Sequence, residues 1–196
     1  MKQNGNISVS VMITGVGGQG TLLASRIIGR AALDSGFDAK VSEVHGMSQR
    51  GGNVVTFARY SSEKVSSPII GENGADAILA FELLEGYRAL PFLKKGGRLI
   101  LNTQRISPAS VRSGSAAYPE NIIEKIRNFG VEPVVTEALE LAMEAGSAKA
   151  ANTVLVGVFA KHSGIPEETW FGAMGKCFPE SQLPVNLKAF EAGYKL

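Results

Sequence analysis

The sequence predicts an α/β protein built on a mostly parallel sheet, and three observations carry that expectation. Short runs rich in Val, Ile and Thr recur along the chain, as strands buried on both faces require. Stretches with apolar residues at helical spacing fill the intervals between them, and glycines stand where one pattern gives way to the other. Parallel neighbours need crossover connections, so this alternation implies a Rossmann-like, doubly wound, mostly parallel sheet with helices on both faces. A helical C-terminal extension follows it. A chain of 196 residues suits one such domain over 1–196, with a core over about 7–162 and a helical tail over about 163–196.

The elements are expected in this order. Residues 7–14 form a buried strand, and a glycine turn leads into a helix over 21–35, where Leu22, Leu23, Ile27, Ile28, Ala31 and Ala32 share a face and Gly36 supplies the stop. Strands are expected over 39–44, 53–60 and 76–81, and a helix over 82–93. Lys95-Gly96-Gly97 then turns the chain into a strand over 98–102. Pro119 marks a helix start and Gly130 its end, with a last strand over 132–136. Beyond Glu137 the pattern turns helical over 137–145 and 151–162. The second of these is apolar nearly all round and must be covered on more than one side, by the sheet and tail or by a partner.

Composition excludes several function classes. Twenty Lys and Arg against eighteen Asp and Glu leave a net charge of +2 without a like-charge block, so nucleic acid has no electrostatic foothold. Charged residues make up only 19% of the chain and apolar residues 44%, which hints at a surface partly covered by another protein. The lone Cys177 permits no internal disulfide and cannot ligate a cluster that takes about four thiolates. The long uncharged stretch from Gln3 to Ser25 is broken by Gly15, Gly17, Gly18 and Gly20, so no membrane span is expected, and without a signal-peptide pattern the expected location is cytoplasmic. P-loop, zinc-ligand and nucleophile-elbow motifs do not occur. Asn152 reads as the cap of the apolar helix that follows it.

Two loops hold the candidate site residues. Gly15, Gly17 and Gly20, with Gly18 and Gln19 between them, have the spacing of a dinucleotide fingerprint between strand and helix. Glu43, near the end of the second strand, stands where such a site places its ribose-binding acid. The same glycines serve equally well for close packing of helix on strand. Gln19 could bond a phosphate, a neighbouring chain or its own turn. The second loop follows that strand with His45, Ser48, Gln49, Arg50, Gly51 and Gly52, and should share a rim with the glycine turn. Arg50 could present a fork of donors to an anion or form an interface ion pair, and His45 could titrate near neutrality or serve as a structural imidazole. An independent NAD-binding dehydrogenase and a non-catalytic nucleotide or coenzyme A module both stay open on these residues.

The pairing of Gly-Val-Gly-Gly-Gln-Gly at 15–20 with Ser-Glu-Val-His-Gly-Met-Ser-Gln-Arg-Gly-Gly at 42–52 resembles the gamma subunit, or gamma domain, of the 2-oxoacid:ferredoxin oxidoreductases. Asp-Ala-Ile-Leu-Ala-Phe-Glu at 76–82, the strand ending in Asn102-Thr103, and Lys149-Ala150-Ala151-Asn152 before an apolar helix agree with it. The Glu-Val-His-Gly-Met segment is similar to the small subunit of the indolepyruvate enzymes. The resemblance implies a subunit of a complex that oxidatively decarboxylates an aryl pyruvate to an acyl-coenzyme A and passes electrons to ferredoxin. It also implies that thiamine diphosphate, Mg and the [4Fe-4S] clusters reside in a larger partner subunit, with coenzyme A as co-substrate. The expected assembly is a hetero-oligomer, with a homodimer as the alternative for the isolated chain. The likeness assigns no catalytic residue to this chain, only the glycine turn and the 45–52 loop as ligand-binding or interface candidates.

Overall fold

The structure, a computed structural model, describes residues 6–45 and 52–196, with residues 44 and 45 as backbone alone. Strand β1, Ser8–Val16, is buried from Ser10 onward on both faces, as its β-branched run requires. Gly20 adopts a left-handed conformation (φ 83°) and opens helix α1, Thr21–Asp34, which ends at Ser35 and a left-handed Gly36. Strand β2, Asp38–His45, returns antiparallel as β3, Asn53–Ser61, and β3 lies antiparallel beside β1. Strand β4, Ala75–Ala80, pairs in parallel with the other side of β1. Helix α2, Leu83–Arg88, and a 3-10 turn, Leu90–Phe92, lead to β5, Leu93–Asn102, parallel to β4. Short helix α3, Ala109–Arg112, and α4, Ile122–Asn128, precede the last strand β6, Val134–Thr136. Helix α5, Ala138–Ala145, and a 3-10 turn, Ala148–Ala150, then lead into α6, Ala151–Ala160. Helices α7, Glu167–Cys177, and α8, Leu183–Tyr194, close the described chain.

The sheet order is β2-β3-β1-β4-β5-β6, and β3 runs against the other five strands. The α/β expectation with helices on both faces holds. Val11 and Ile13 of β1 face a core shared with α1, α6 and the C-terminal helices, whereas Met12 faces a second core with α2 and α4. The C-terminal helices are part of the first core, since Trp170 and Phe190 are wholly buried in it.

Three boundaries depart from expectation. The helix expected over 82–93 stops at Arg88, and β5 begins at Leu93 with its register shifted between Ala75 and Ala77, so the Lys-Gly-Gly stretch lies inside the strand. Pro119 does not start a helix; Asn121 is left-handed (φ 54°) and delays α4 to Ile122. The apolar helix α6 ends at Ala160, and the chain itself covers it, with every residue from Asn152 to Ala160 buried. Gly157 and Gly193 let α6 and α8 approach until an added Cβ at either would lie 2.1 or 2.0 Å from a carbonyl oxygen of the facing helix.

Candidate functional site on the sheet rim

The C-terminal ends of β1, β4 and β5 share one rim, and the glycine turn crosses it. Gly15 lacks a Cβ where one would lie 2.7 Å from Gln19 Oε1, so the Gln19 side chain folds back over the turn. Its Oε1 accepts the Val16 N–H (2.7 Å), and its Nε2 donates to the Phe81 carbonyl and to Gln104 Oε1, both at 2.9 Å. Of the roles open to Gln19, the structure shows it tying the turn to the end of β4.

At Gly20 an added Cβ would meet Asn152 Nδ2 at 2.4 Å. The Asn152 amide reaches the Gly20 carbonyl (3.4 Å) and makes no cap for α6. The cap expectation fails because the residue sits inside the first turn, where its side chain crosses to the neighbouring helix start. The Thr153 hydroxyl lies between Asn152 Oδ1 (3.1 Å) and Asn186 Oδ1 (2.9 Å) and links this corner to α8.

Between the starts of α1 and α6 opens a pocket of about 470 Å³. Gly18, Gln19 and Gly20 form one wall, Lys149, Ala151 and Asn152 another, and Asn102, Gln104, Gln182 and Asn186 add neutral amides and Leu139 and Phe178 apolar surface. Helix α1 carries no acidic residue in its first turn and no side-chain cap, so the positive end of its backbone is uncompensated, whereas α6 continues the 3-10 turn before it, whose start Ser147 caps by accepting the Lys149 N–H (3.3 Å). The exposed Lys149 adds a full charge, and no carboxylate lines the pocket. Such a lining favours a ligand with anionic groups and an apolar or amide-bonding remainder.

Glu43 lies elsewhere. It pairs with Thr56 of β3, which pairs in turn with Ile13, so β3 intervenes between Glu43 and β1. That places Glu43 one strand spacing, roughly 5 Å, farther from the glycine turn than in a sheet whose second strand adjoins the first. It also stands at the level of Ile13, short of the rim. Gly52, at the end of the second loop, abuts the glycine turn, its carbonyl accepting the Gly17 N–H at 3.1 Å. Ser48, Gln49, Arg50 and Gly51 lie outside the described residues, as does the His45 side chain.

Residues that sequence reasoning passed over gather on the opposite face of β1, at the same rim. Glu82 caps α2 by accepting the Glu85 N–H (2.9 Å), and its other oxygen takes the Ile106 N–H (3.0 Å) and the Tyr118 hydroxyl (2.5 Å). Burial, the hydrogen bond to Glu82 and the charge of Glu82 all push the Tyr118 phenol up. Glu85 is buried, pairs with Arg88 Nη1 (2.6 Å) and accepts a short hydrogen bond from Asn53 Nδ2. Burial raises its pKa, the Arg88 charge and hydrogen bond oppose the rise, and the nearby Glu82 adds to it. A second cavity of about 250 Å³ opens here, walled by Met12, Val55, Phe57 and Phe92 with Glu85, Arg88 and Asn53. The signal for Glu82 and Glu85 was an acidic residue three positions before another at the start of an apolar helix. Among the described residues no group of three or more His, Cys, Asp or Glu could hold a metal ion.

Comparison with known proteins places this geometry in a family. Residues 10–196 match the family model described as pyruvate ferredoxin/flavodoxin oxidoreductase. The chain is 40% identical over 193 residues to the indolepyruvate oxidoreductase subunit IorB of Thermococcus kodakarensis, covering 95% of this chain and 94% of that one. The fold is similar to the gamma subunit of a keto/oxoacid ferredoxin oxidoreductase from Geobacter sulfurreducens PCA, with a TM-score of 0.75 at 24% identity over 96% and 95% of the two chains. It is also similar to part of the 2-oxoglutarate:ferredoxin oxidoreductase of Magnetococcus marinus, a structure with 2-oxoglutarate, coenzyme A and succinyl-CoA bound (TM-score 0.74, 21% identity, 96% of this chain and 30% of that one). With the rim motifs, the sheet and the end-to-end match in agreement, the chain belongs to the pyruvate ferredoxin/flavodoxin oxidoreductase family.

Proposed function

We propose that this chain is the small, gamma-type subunit of a 2-oxoacid:ferredoxin oxidoreductase acting on indolepyruvate or another aryl pyruvate. In that complex it supports coenzyme A-dependent oxidative decarboxylation, with electrons leaving to ferredoxin. The observation that carries the reading is the 40% identity to an indolepyruvate oxidoreductase subunit along nearly the whole of both chains. A partner subunit supplies thiamine diphosphate, Mg and the [4Fe-4S] clusters. One cysteine falls short of the roughly four thiolates that one cluster takes. No helix among the described residues is long and apolar enough to cross a membrane, which accords with a cytoplasmic complex.

The pocket between α1 and α6 is the part of this chain suited to coenzyme A. The uncapped start of α1 and Lys149 favour the phosphates, and Leu139 and Phe178 offer an apolar surface. This chain would therefore bind and orient, while the bond-making groups belong to the partner. Independent NAD binding is the weaker reading, because β3 separates Glu43 from the glycine turn.

Co-expression with a large thiamine-dependent subunit should give a stable complex that reduces a viologen dye with indolepyruvate and coenzyme A. Lys149→Ala in that complex should raise KM for coenzyme A about tenfold or more, the scale of a lost charged hydrogen bond. A chain that never associates with such a subunit would end the proposal.

A further inference from the structure

Glu85 is an unusual choice for its position. A buried carboxylate is costly unless it is fully paired, and a second carboxylate, Glu82, stands one helical turn before it. A glutamine could keep the bond to Asn53 without that cost, because its carbonyl would still accept the Asn53 amide. What the carboxylate adds is a second partner, Arg88, held by the other oxygen. One buried group thereby fixes two residues on different elements, Asn53 at the start of β3 and Arg88 at the end of α2, both lining the 250 Å³ cavity.

The start of β3 is held from the other side as well. Gly52 gives its carbonyl to the Gly17 N–H (3.1 Å), so the Gly52–Asn53 pair is gripped between the glycine turn and Glu85. These are the residues with which the Ser-Gln-Arg-Gly-Gly motif passes into the sheet. The groups facing Glu85 are Arg88 and Glu82 on α2 and Asn53 on β3.

We infer that Glu85 is a positioning residue of the complex: its carboxylate clamps Asn53 and Arg88 in one arrangement, and so fixes the Gly52–Asn53 entry into β3 against the glycine turn. The inference rests on the subunit reading for its effect on turnover, but not for the clamp itself. Arg88, half exposed and held by its pair with Glu85, is the group this clamp presents outward.

The test exchanges donor and acceptor. Asn53→Asp sets a carboxylate against Glu85 and should release the clamp, whereas Asn53→Asp with Glu85→Gln lets the new amide donate to the new carboxylate. Hydrogen–deuterium exchange of the isolated chain should show amides over 52–55 exchanging about tenfold faster in Asn53→Asp, the scale of a lost charged hydrogen bond, and returning toward wild type in the double variant. In the complex, kcat/KM for the oxoacid should fall about tenfold in Asn53→Asp and recover in the exchange, with both variants melting as a folded protein. Unchanged exchange in Asn53→Asp, or a folded double variant that recovers neither readout, overturns the inference. A wild-type complex without activity would overturn the subunit reading, and amide exchange alone would then decide on the clamp.

Discussion

Replacing Gln19 by Ala tests whether the glycine turn is held by its own side chain or keeps that side chain for a ligand. Three hydrogen bonds vanish, but their consequences differ. The Phe81 carbonyl still accepts from Asn102 Nδ2 (3.0 Å), and Gln104 is only partly buried. The Val16 N–H is the group at risk, because Val16 is buried and Gln19 is its acceptor. One orphaned buried donor costs about 1–3 kcal/mol. A value near the middle lowers the melting temperature by roughly 4–8 °C in a chain of this size. Urea unfolding followed by circular dichroism should show a lower midpoint at unchanged slope, the mark of lost native stability. Gln19→Glu should also lose stability, since it keeps the acceptor for Val16 but turns a carboxylate toward the Phe81 carbonyl. An unchanged midpoint for Gln19→Ala, combined with weakened coenzyme A binding by the complex, would refute the structural role and return Gln19 to the ligand.

Other outcomes follow from packing and electrostatics. Gly193→Ala places a methyl about 2 Å from the Val154 carbonyl oxygen and should cost about 1–3 kcal/mol or more by forcing α6 and α8 apart; combined with Gly157→Ala the losses should fall short of additive, since both act on one crossing, and calorimetry of the three variants checks this. Burial pushes the Cys177 thiol up, so iodoacetamide at pH 8 should modify the native chain more slowly than the urea-unfolded chain, and equal rates would contradict the burial. The hydrogen bond from Lys176 is the leading cause holding the Asp34 carboxyl below its ordinary value, with Arg30 adding to it. A carboxyl depressed in the folded state contributes stability above its unfolded pKa and loses it as pH falls through the folded value. Lys176→Ala should therefore move the Asp34 titration upward, read by NMR, and an unmoved titration would show that the pair does not form in solution.

Much of the fold was legible because local rules and burial agreed. The left-handed Gly20 and Gly36 bracket α1, and the nearly continuous apolar run of α6 marked a helix covered on more than one side, though not by what. The reversed β3 was harder to see, since alternation at Val54, Thr56 and Ala58 reports a strand and not its direction. Yet the signal existed: the few residues between His45 and Asn53 are too short for a parallel crossover, which takes about a dozen residues or more, so an antiparallel return was the only short connection. The spacing of Glu82 and Glu85 hinted at a helix start, but the burial and pairing of Glu85 could not be read. Its partner Asn53 lies 32 residues away, and a glutamate on a short helix looks like an ordinary solvated face until the strand arrives beneath it.

The direction of β3 also decides what the glycine turn can mean. In a dinucleotide site the spacing of Gly15, Gly17 and Gly20 has value because an acid on the adjacent strand takes the ribose while the helix start takes the pyrophosphate. Here β3 moves that acid a strand away, and the space beside Gly15 and Gly20 is taken by Gln19 and Asn152 from this same chain. The glycines therefore serve contact between turn, sheet and α6. What remains open is the pocket beyond them, where Lys149 joins the start of α1. A helix start and a lysine side by side favour an anionic group. The glycine spacing alone could not have distinguished such a lining from that of a dinucleotide site, because it reports how closely the backbone may be approached and not which charges wait across the gap.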